Sequence, residues 1–204
     1  MMILFDVGAH WGQDSLDVTQ YNTEVICYAF EPTPELANLL RIAAEARKIS
    51  DRYHVFEHAI SDFDGEADFY MVQGDTGSAS LNEFSDNLSE TWPGRTDFAV
   101  RGSKKVNVYR LDTWLTIFAP EITQIDHLHI DAQGSDLAVL KGLGEKISMV
   151  QSGVVEVPQE DKLRLYKGQH TKQDALDFLE QNGFVIDKVT HQVNEDNLFF
   201  ARRT

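Results

Sequence analysis

One stretch constrains the chain most: Ile3-Leu4-Phe5-Asp6-Val7-Gly8-Ala9-His10-Trp11-Gly12-Gln13-Asp14-Ser15. An apolar run ends on an acid, a glycine-containing turn follows, and a segment able to enter a helix begins near Gln13. Strand, glycine turn and helix in that order are the first βα unit of an open α/β sheet, where ligands bind at the carboxyl ends of the strands. Gly8 and Gly12 carry no Cβ and are expected to leave room for a ligand beside the backbone. The free N–H groups of the helix that follows would point at it.

The spacing is Asp6-x-Gly8-x-x-x-Gly12, with Ala9 and His10 where the dinucleotide fingerprint G-x-G-x-x-G would place a second close glycine. A wider loop with an acid in front suits a ligand without phosphates. Val25 to Phe30 reads as the next buried strand and stops at Glu31-Pro32. A carboxylate there can accept both hydroxyls of a ribose. The two acids together predict a nucleoside-type cofactor.

The rest of the chain continues the alternation. Asp14 to Tyr21 is a short helix with Leu16 and Val18 as apolar contacts. Thr33 is placed to cap a helix with Pro34 in its first turn, and Leu36, Leu39, Leu40 and Ala43 recur at helical spacing. Residues 53–60 read as the third strand, 66–72 as an exposed strand, 105–109 as a strand and 111–118 as a helix. Residues 125–131 form the fourth main strand, Leu137, Leu140 and Leu143 mark a helix, and 149–157 form the fifth strand. Thr171 caps a helix ended by Asn182-Gly183, and 184–189 with 197–201 read as a closing strand pair. Residues 73–102, rich in glycine and small polar residues, read as a long functional loop.

These stretches, with Ala29-Phe30-Glu31-Pro32, Arg110-Leu111-Asp112-Thr113-Trp114, His129-Ile130-Asp131-Ala132-Gln133-Gly134, Val139-Leu140-Lys141-Gly142 and Val154-Val155-Glu156-Val157, resemble the FkbM family of S-adenosylmethionine-dependent methyltransferases. The resemblance covers nearly the whole chain in the family's order. It implies an α/β, Rossmann-like methyltransferase fold: a mostly parallel seven-stranded sheet with helices on both faces and a C-terminal antiparallel hairpin. Residues 1–204 would be one methyltransferase domain, of a kind that can also be cut from a longer polypeptide. It implies S-adenosyl-L-methionine as cofactor and O-methylation of a sugar or glycan hydroxyl, fused to or acting with glycosyltransferases.

Site roles follow from the resemblance. Asp6, Gly8, Ala9, His10, Gly12 and Ser15 belong to the cofactor loop, with Asp6 organising it. Glu31 and Pro32 hold the ribose, and His58 and Ala59 lie beside the adenine, although His58 reads equally as an unliganded strand-end residue. Asp131 touches cofactor and acceptor alike and is the expected general base, since an alcohol attacks better as its proton is removed. Glu156 is the next candidate. His129 alternates with Asp131 and so shares its face, joining it or lying deeper. Ser78, Ser80, Trp92 and Gln133 are the expected acceptor contacts; Trp92 either stacks on a sugar or anchors its loop. Asp131, Glu156 and His129 include metal-ligand types, but their spacing matches no closed metal motif, so no metal is expected.

Two rival classes are a nicotinamide-dependent oxidoreductase, which lacks its fingerprint here, and a non-catalytic nucleoside-binding domain. A formal charge of −15 disfavours a nucleic-acid partner. Cys27 is the single cysteine and lies in an apolar run, so it is expected in the core. No apolar segment is long enough to span a membrane, and no leader pattern opens the chain; a cytoplasmic location is expected.

Overall fold

The computed structural model describes residues 1–203. In chain order the strands are β1 (Met2–Val7), β2 (Val25–Phe30), β3 (Tyr53–Phe56), β4 (Ala59–Ser61), β5 (Gly65–Val72), β6 (Val100–Arg110), β7 (His127–Ile130), β8 (Ser152–Pro158), β9 (Phe184–His191) and β10 (Glu195–Arg202). The helices are α1 (Gln13–Tyr21), α2 (Pro34–Ala46), α3 (Leu88–Thr91), α4 (Leu111–Phe118), α5 (Asp136–Lys141) and α6 (Lys172–Gln181).

Seven strands form the main sheet in the order β3-β2-β1-β7-β8-β10-β9. β3, β2, β1, β7 and β8 run parallel, while β10 is antiparallel to both β8 and β9. This is the expected mostly parallel sheet with a C-terminal antiparallel hairpin. The order reverses between β1 and β7, and their carboxyl ends flank the crevice where such sheets bind ligands.

Side-chain alternation sorts the core into two layers. Phe5, Val7, Leu128 and Ile130 enter the larger cluster, with Trp114 and Leu111 of α4, Leu137 and Leu140 of α5, and Ala175 and Leu179 of α6. Leu4, Cys27 and Ala29 enter the other, with Leu16 of α1 and Leu40 and Ala44 of α2. Trp114 is fully buried, and its indole meets Phe5, Phe30 and Phe56 edge-on at 5.7, 4.8 and 4.8 Å between centroids. One helix thus locks three adjacent strands, and with them the strand tips that carry the site.

Local expectations fail in four places. The run 53–60 is not one strand: β3 ends at Phe56, and β4 leaves to pair with β6 in a second, three-stranded sheet ordered β4-β6-β5. α5 sits on the diverted strand so closely that a Cβ on Gly142 would lie 2.2 Å from the Ser61 carbonyl oxygen. Val18 and Leu39 are exposed rather than core contacts. Thr33 occupies the cap position of α2 but makes no side-chain cap bond; by contrast, Thr171 and Asp174 form a reciprocal capping box on α6. Within the irregular stretch, β6 begins at Val100, α3 forms, and Tyr70 bridges Ser80.

Candidate active site

The loop after β1 is organised by Glu31, not by Asp6. Gly8 and Ala9 donate their backbone N–H groups to the Phe30 carbonyl, both at 3.0 Å. Glu31 accepts from the backbone N–H of His10 at 3.0 Å on one carboxylate oxygen and from that of Thr33 at 2.8 Å on the other. It is buried, and burial raises its pKa above the ordinary glutamate range despite those bonds. Asp6 faces a cleft that Gly8 to Gly12 also line, but its hydrogen bond goes to β7: its Oδ1 lies 2.7 Å from Nδ1 of His129 on the neighbouring strand.

Gly8 and Gly12 do not make space for a ligand. A Cβ on Gly8 would lie 1.9 Å from the Asp131 carbonyl oxygen, and one on Gly12 would meet Leu40 and the Tyr53 hydroxyl at 2.5 and 2.7 Å. Both have positive φ, 82° and 61°. Their glycines let β1 close on β7 and let the turn pack on α2. Ser15 is likewise spent on structure, its hydroxyl 2.9 Å from that of Tyr53.

Above the tips of β1 and β2 opens a cavity with about 520 Å³ of empty space. Phe30, Leu36, Ile60 and Phe69 give it apolar walls, and Gly8, His10, Glu31, Pro32, His58, Ala59 and Asp131 also line it. Two features fit a nucleoside. Glu31 spends one lone pair per oxygen on the loop and keeps acceptor capacity for a diol. His58 leaves its Nδ1 buried without a partner, a polar atom that calls for a ligand group; its ring packs on Tyr109 and Phe118.

A second cleft shares Gly77, Asp131 and Gln133 with the first and is completed by Trp92, Arg95, Glu156 and Glu195. Burial raises the Asp131 pKa, opposed by Gln133 and His129. Burial likewise pushes Glu156 up to about 10 and Glu195 to about 7, each helped by the charge of Asp131. Arg95 is already paired with Asp75 and Asp97, at 2.8 and 2.7 Å. Trp92 packs against Phe98 and lines the cleft as well. Ser78 and Ser80 are buried: the Ser78 carbonyl accepts from the Tyr166 hydroxyl, and the Ser80 hydroxyl donates to the Gln133 carbonyl at 2.6 Å. Among the described residues, no three His, Cys, Asp or Glu side chains gather closely enough to hold a metal ion, and no helix is long and apolar enough to cross a membrane.

Residues 6–186 match the family described as Methyltransferase FkbM domain. The chain is also 30% identical over 183 residues to the 2-O-methyltransferase NoeI of Sinorhizobium fredii (strain NBRC 101917 / NGR234), covering 87% of this chain and 70% of that protein. The chain belongs to the FkbM methyltransferase family. Its fold is similar to that of the crystal structure of Methyltransferase FkbM from Methylobacillus flagellatus KT, with a TM-score of 0.60, 15% identity and 98% of this chain covered. The chain spans 43% of that protein's length. Precorrin-6y C5,15-methyltransferase from Geobacter metallireducens GS-15 shares the fold at a TM-score of 0.52 and 12% identity, over 100% of this chain and 80% of that one.

Within this FkbM chain, the Arg110–Trp114 motif is a clamp rather than a site. Arg110 forks onto Asp112 at 2.9 and 2.5 Å and donates to the Asp62 carbonyl. The Asp112 backbone N–H reaches Gly142. Three residues that shape the crevice carry no strong sequence signal. Asp136 is buried and takes the N–H groups of Ala132 and Gly134 at 2.7 and 2.9 Å; burial beside Asp131 raises its pKa to about 7. In sequence it reads only as a first-turn acid of α5. Tyr166 reaches Gln133 from 33 residues away, and Glu195 arrives on the returning strand of the hairpin.

Proposed function

We propose that this protein is an S-adenosylmethionine-dependent O-methyltransferase acting on a hydroxyl of a sugar or glycan. One observation carries the reading: Glu31 and Asp131 line one cavity from the tips of β2 and β7, the strands on either side of β1, and Asp131 also lines the adjoining cleft. A diol-binding acid therefore lines the first compartment, and a buried, proton-accepting acid stands at the border of the two. When bound, S-adenosylmethionine supplies an electrophilic methyl group on a sulfonium.

The chain's own residues would do the rest. Glu31 accepts the ribose hydroxyls, and His58 and the apolar walls hold the base. Asp131 accepts the proton of the acceptor hydroxyl as that oxygen is alkylated; its raised pKa strengthens it as a base while it remains ionised. Glu156 holds its proton at neutral pH and so donates a hydrogen bond to the acceptor instead of competing as the base. The acidic cleft, whose one arginine is already paired, favours an uncharged acceptor over an anionic one. The family and the O-methyltransferase NoeI support methyl transfer to oxygen; the sugar class rests on the family resemblance.

A labelled-methyl assay over a panel of neutral glycans tests this, with the product position read by NMR. Asp131→Asn should retain cofactor binding and lose at least ~100-fold in kcat. A rate equal to wild type would remove Asp131 as the base. Tight S-adenosylmethionine binding with no transfer to any hydroxyl would favour the non-catalytic reading.

A further inference from the structure

Tyr166 is buried and stacks on Phe84 with ring centroids 5.3 Å apart. Its hydroxyl oxygen lies 2.6 Å from Gln133 Oε1 and 3.0 Å from the Ser78 carbonyl oxygen. Gln133 places Nε2 2.5 Å from Asp131 Oδ1. The backbone beneath that amide is fixed: Gln133 has φ 48°, and its carbonyl is held by Ser80. A Cβ on the next residue, Gly134, would strike the Tyr166 ring at 2.6 Å.

Counting hydrogens exposes a deficit. Tyr166 has one hydroxyl hydrogen, and both of its neighbours are acceptors. Among the described residues no other donor reaches the Ser78 carbonyl, so one buried acceptor goes without. Turning the Gln133 amide over removes the deficit. Tyr166 then donates to Ser78, Gln133 Nε2 donates to the Tyr166 oxygen, and Gln133 Oε1 faces Asp131. That last contact is a hydrogen bond only when Asp131 carries a proton.

We propose that the Gln133 amide turns over as Asp131 takes the acceptor's proton, with Tyr166 as the positioning residue that makes both orientations bondable. The inference rests on the reading of Asp131 as the base. The proton leaves the acceptor hydroxyl for an Asp131 oxygen, the O–H electron pair stays on the oxygen being alkylated, and the proton later passes to water as the amide turns back. Three network bonds are present with the proton on Asp131, against two with it off.

Other groups bias Asp131 too. His10 after β1 and His129 on β7 favour the carboxylate when protonated. Asp6 on β1 favours the proton, as do Asp136 on α5 and Glu195 on β10 when ionised, whereas Glu156 on β8 is itself protonated at neutral pH. They are common to wild type and variants, so a difference between the two isolates the network.

The test follows the Asp131 carboxyl carbon by NMR across pH in the cofactor-free protein, its signal assigned by its absence in Asp131→Asn. Tyr166→Phe leaves one network bond in either protonation state. Its midpoint should therefore fall by roughly half to one pH unit, and the acid limb of the rate profile should fall with it at unchanged KM. On a Gln133→Met background the same change should move nothing. Equal midpoints in wild type and Tyr166→Phe would overturn the inference. Should Tyr166→Phe not fold, wild type suffices: nuclear Overhauser contacts from the Gln133 amide hydrogens should shift toward the Tyr166 ring as pH falls through the midpoint, and contacts that stay constant overturn it. A shifted midpoint with full activity in Asp131→Asn would support the turnover and refute the base, so the two readings fail separately.

Discussion

His129 and Asp6 face each other across the parallel pair β7 and β1, with Nδ1 2.7 Å from Oδ1. Burial pulls the histidine's pKa down, but the bond to Asp6 and the charges of Asp6 and Asp131 outweigh it, and the net result is above the ordinary 6.5. A histidine with a raised folded pKa adds stability that is full below its unfolded value and is lost as pH rises through the folded value. The urea midpoint of wild type minus that of His129→Gln should therefore be largest below pH 6.5 and shrink above it. The side chain is 40% exposed, so solvent screens the gain and the difference should weaken further in high salt. A difference independent of pH would mean that His129 has the same pKa folded and unfolded, so that the pair adds no charge-dependent stability.

Glu31 supports two loops and, in the proposed function, a ribose. Glu31→Ala removes the acceptor of two backbone N–H groups and of the cofactor diol together. S-adenosylmethionine binding by titration calorimetry should weaken by at least ~10-fold, the scale of losing one hydrogen bond to a charged group. An unchanged dissociation constant would contradict the role.

Gly8→Ala should lower stability before any ligand is added. Its Cβ would be driven into the Asp131 carbonyl at a φ of 82°, costing on the order of 2 kcal/mol or more. Thermal melting of the cofactor-free protein reads this directly. If the melt is unchanged and only cofactor affinity falls, the glycine serves the ligand after all.

Much of the site is legible in the sequence for a simple reason. Glu31 ends an apolar run and Asp131 ends a strand in which Leu128 and Ile130 alternate with histidines, and parallel strands bring such endings to one edge. The mostly parallel sheet and its closing antiparallel hairpin are implied by the family resemblance, and the strand order is seen only in the fold. What is not legible is decided by contacts between distant segments. Nothing local in Glu57-His58 marks the parting of β3 from β4; α5 and β6, far along the chain, cause it. The glycines of the first turn look like ligand space because what fills that space, the Asp131 carbonyl, comes from a strand more than a hundred residues later. Ser80 looks like an acceptor contact until the fold buries it under Gln133.

Trp114→Ala should be the most damaging single change to the scaffold. It empties the space between Phe5, Phe30 and Phe56 and should cost about 3–5 kcal/mol. Chemical denaturation measures the loss. Trp114→Phe, which keeps an aromatic edge, should recover part of it.

The parting of β3 from β4 lets two sheets share the crevice. The cavity proposed for the donor draws Glu31 and Asp131 from the tips of the main sheet, where Trp114 ties three strands together, and Ile60 and Phe69 from the small sheet. The cleft proposed for the acceptor takes Asp131, Glu156 and Glu195 from the main sheet and Gly77, Trp92 and Arg95 from the segment between β5 and β6, which the main sheet's ladder does not include. In the proposed function, exchanging Trp92 and Arg95, which line the cleft but not the donor cavity, should recut which alcohol is admitted, whereas Thr76, Gly77, Ala79 and Leu81 of the same segment face the donor cavity and must be kept.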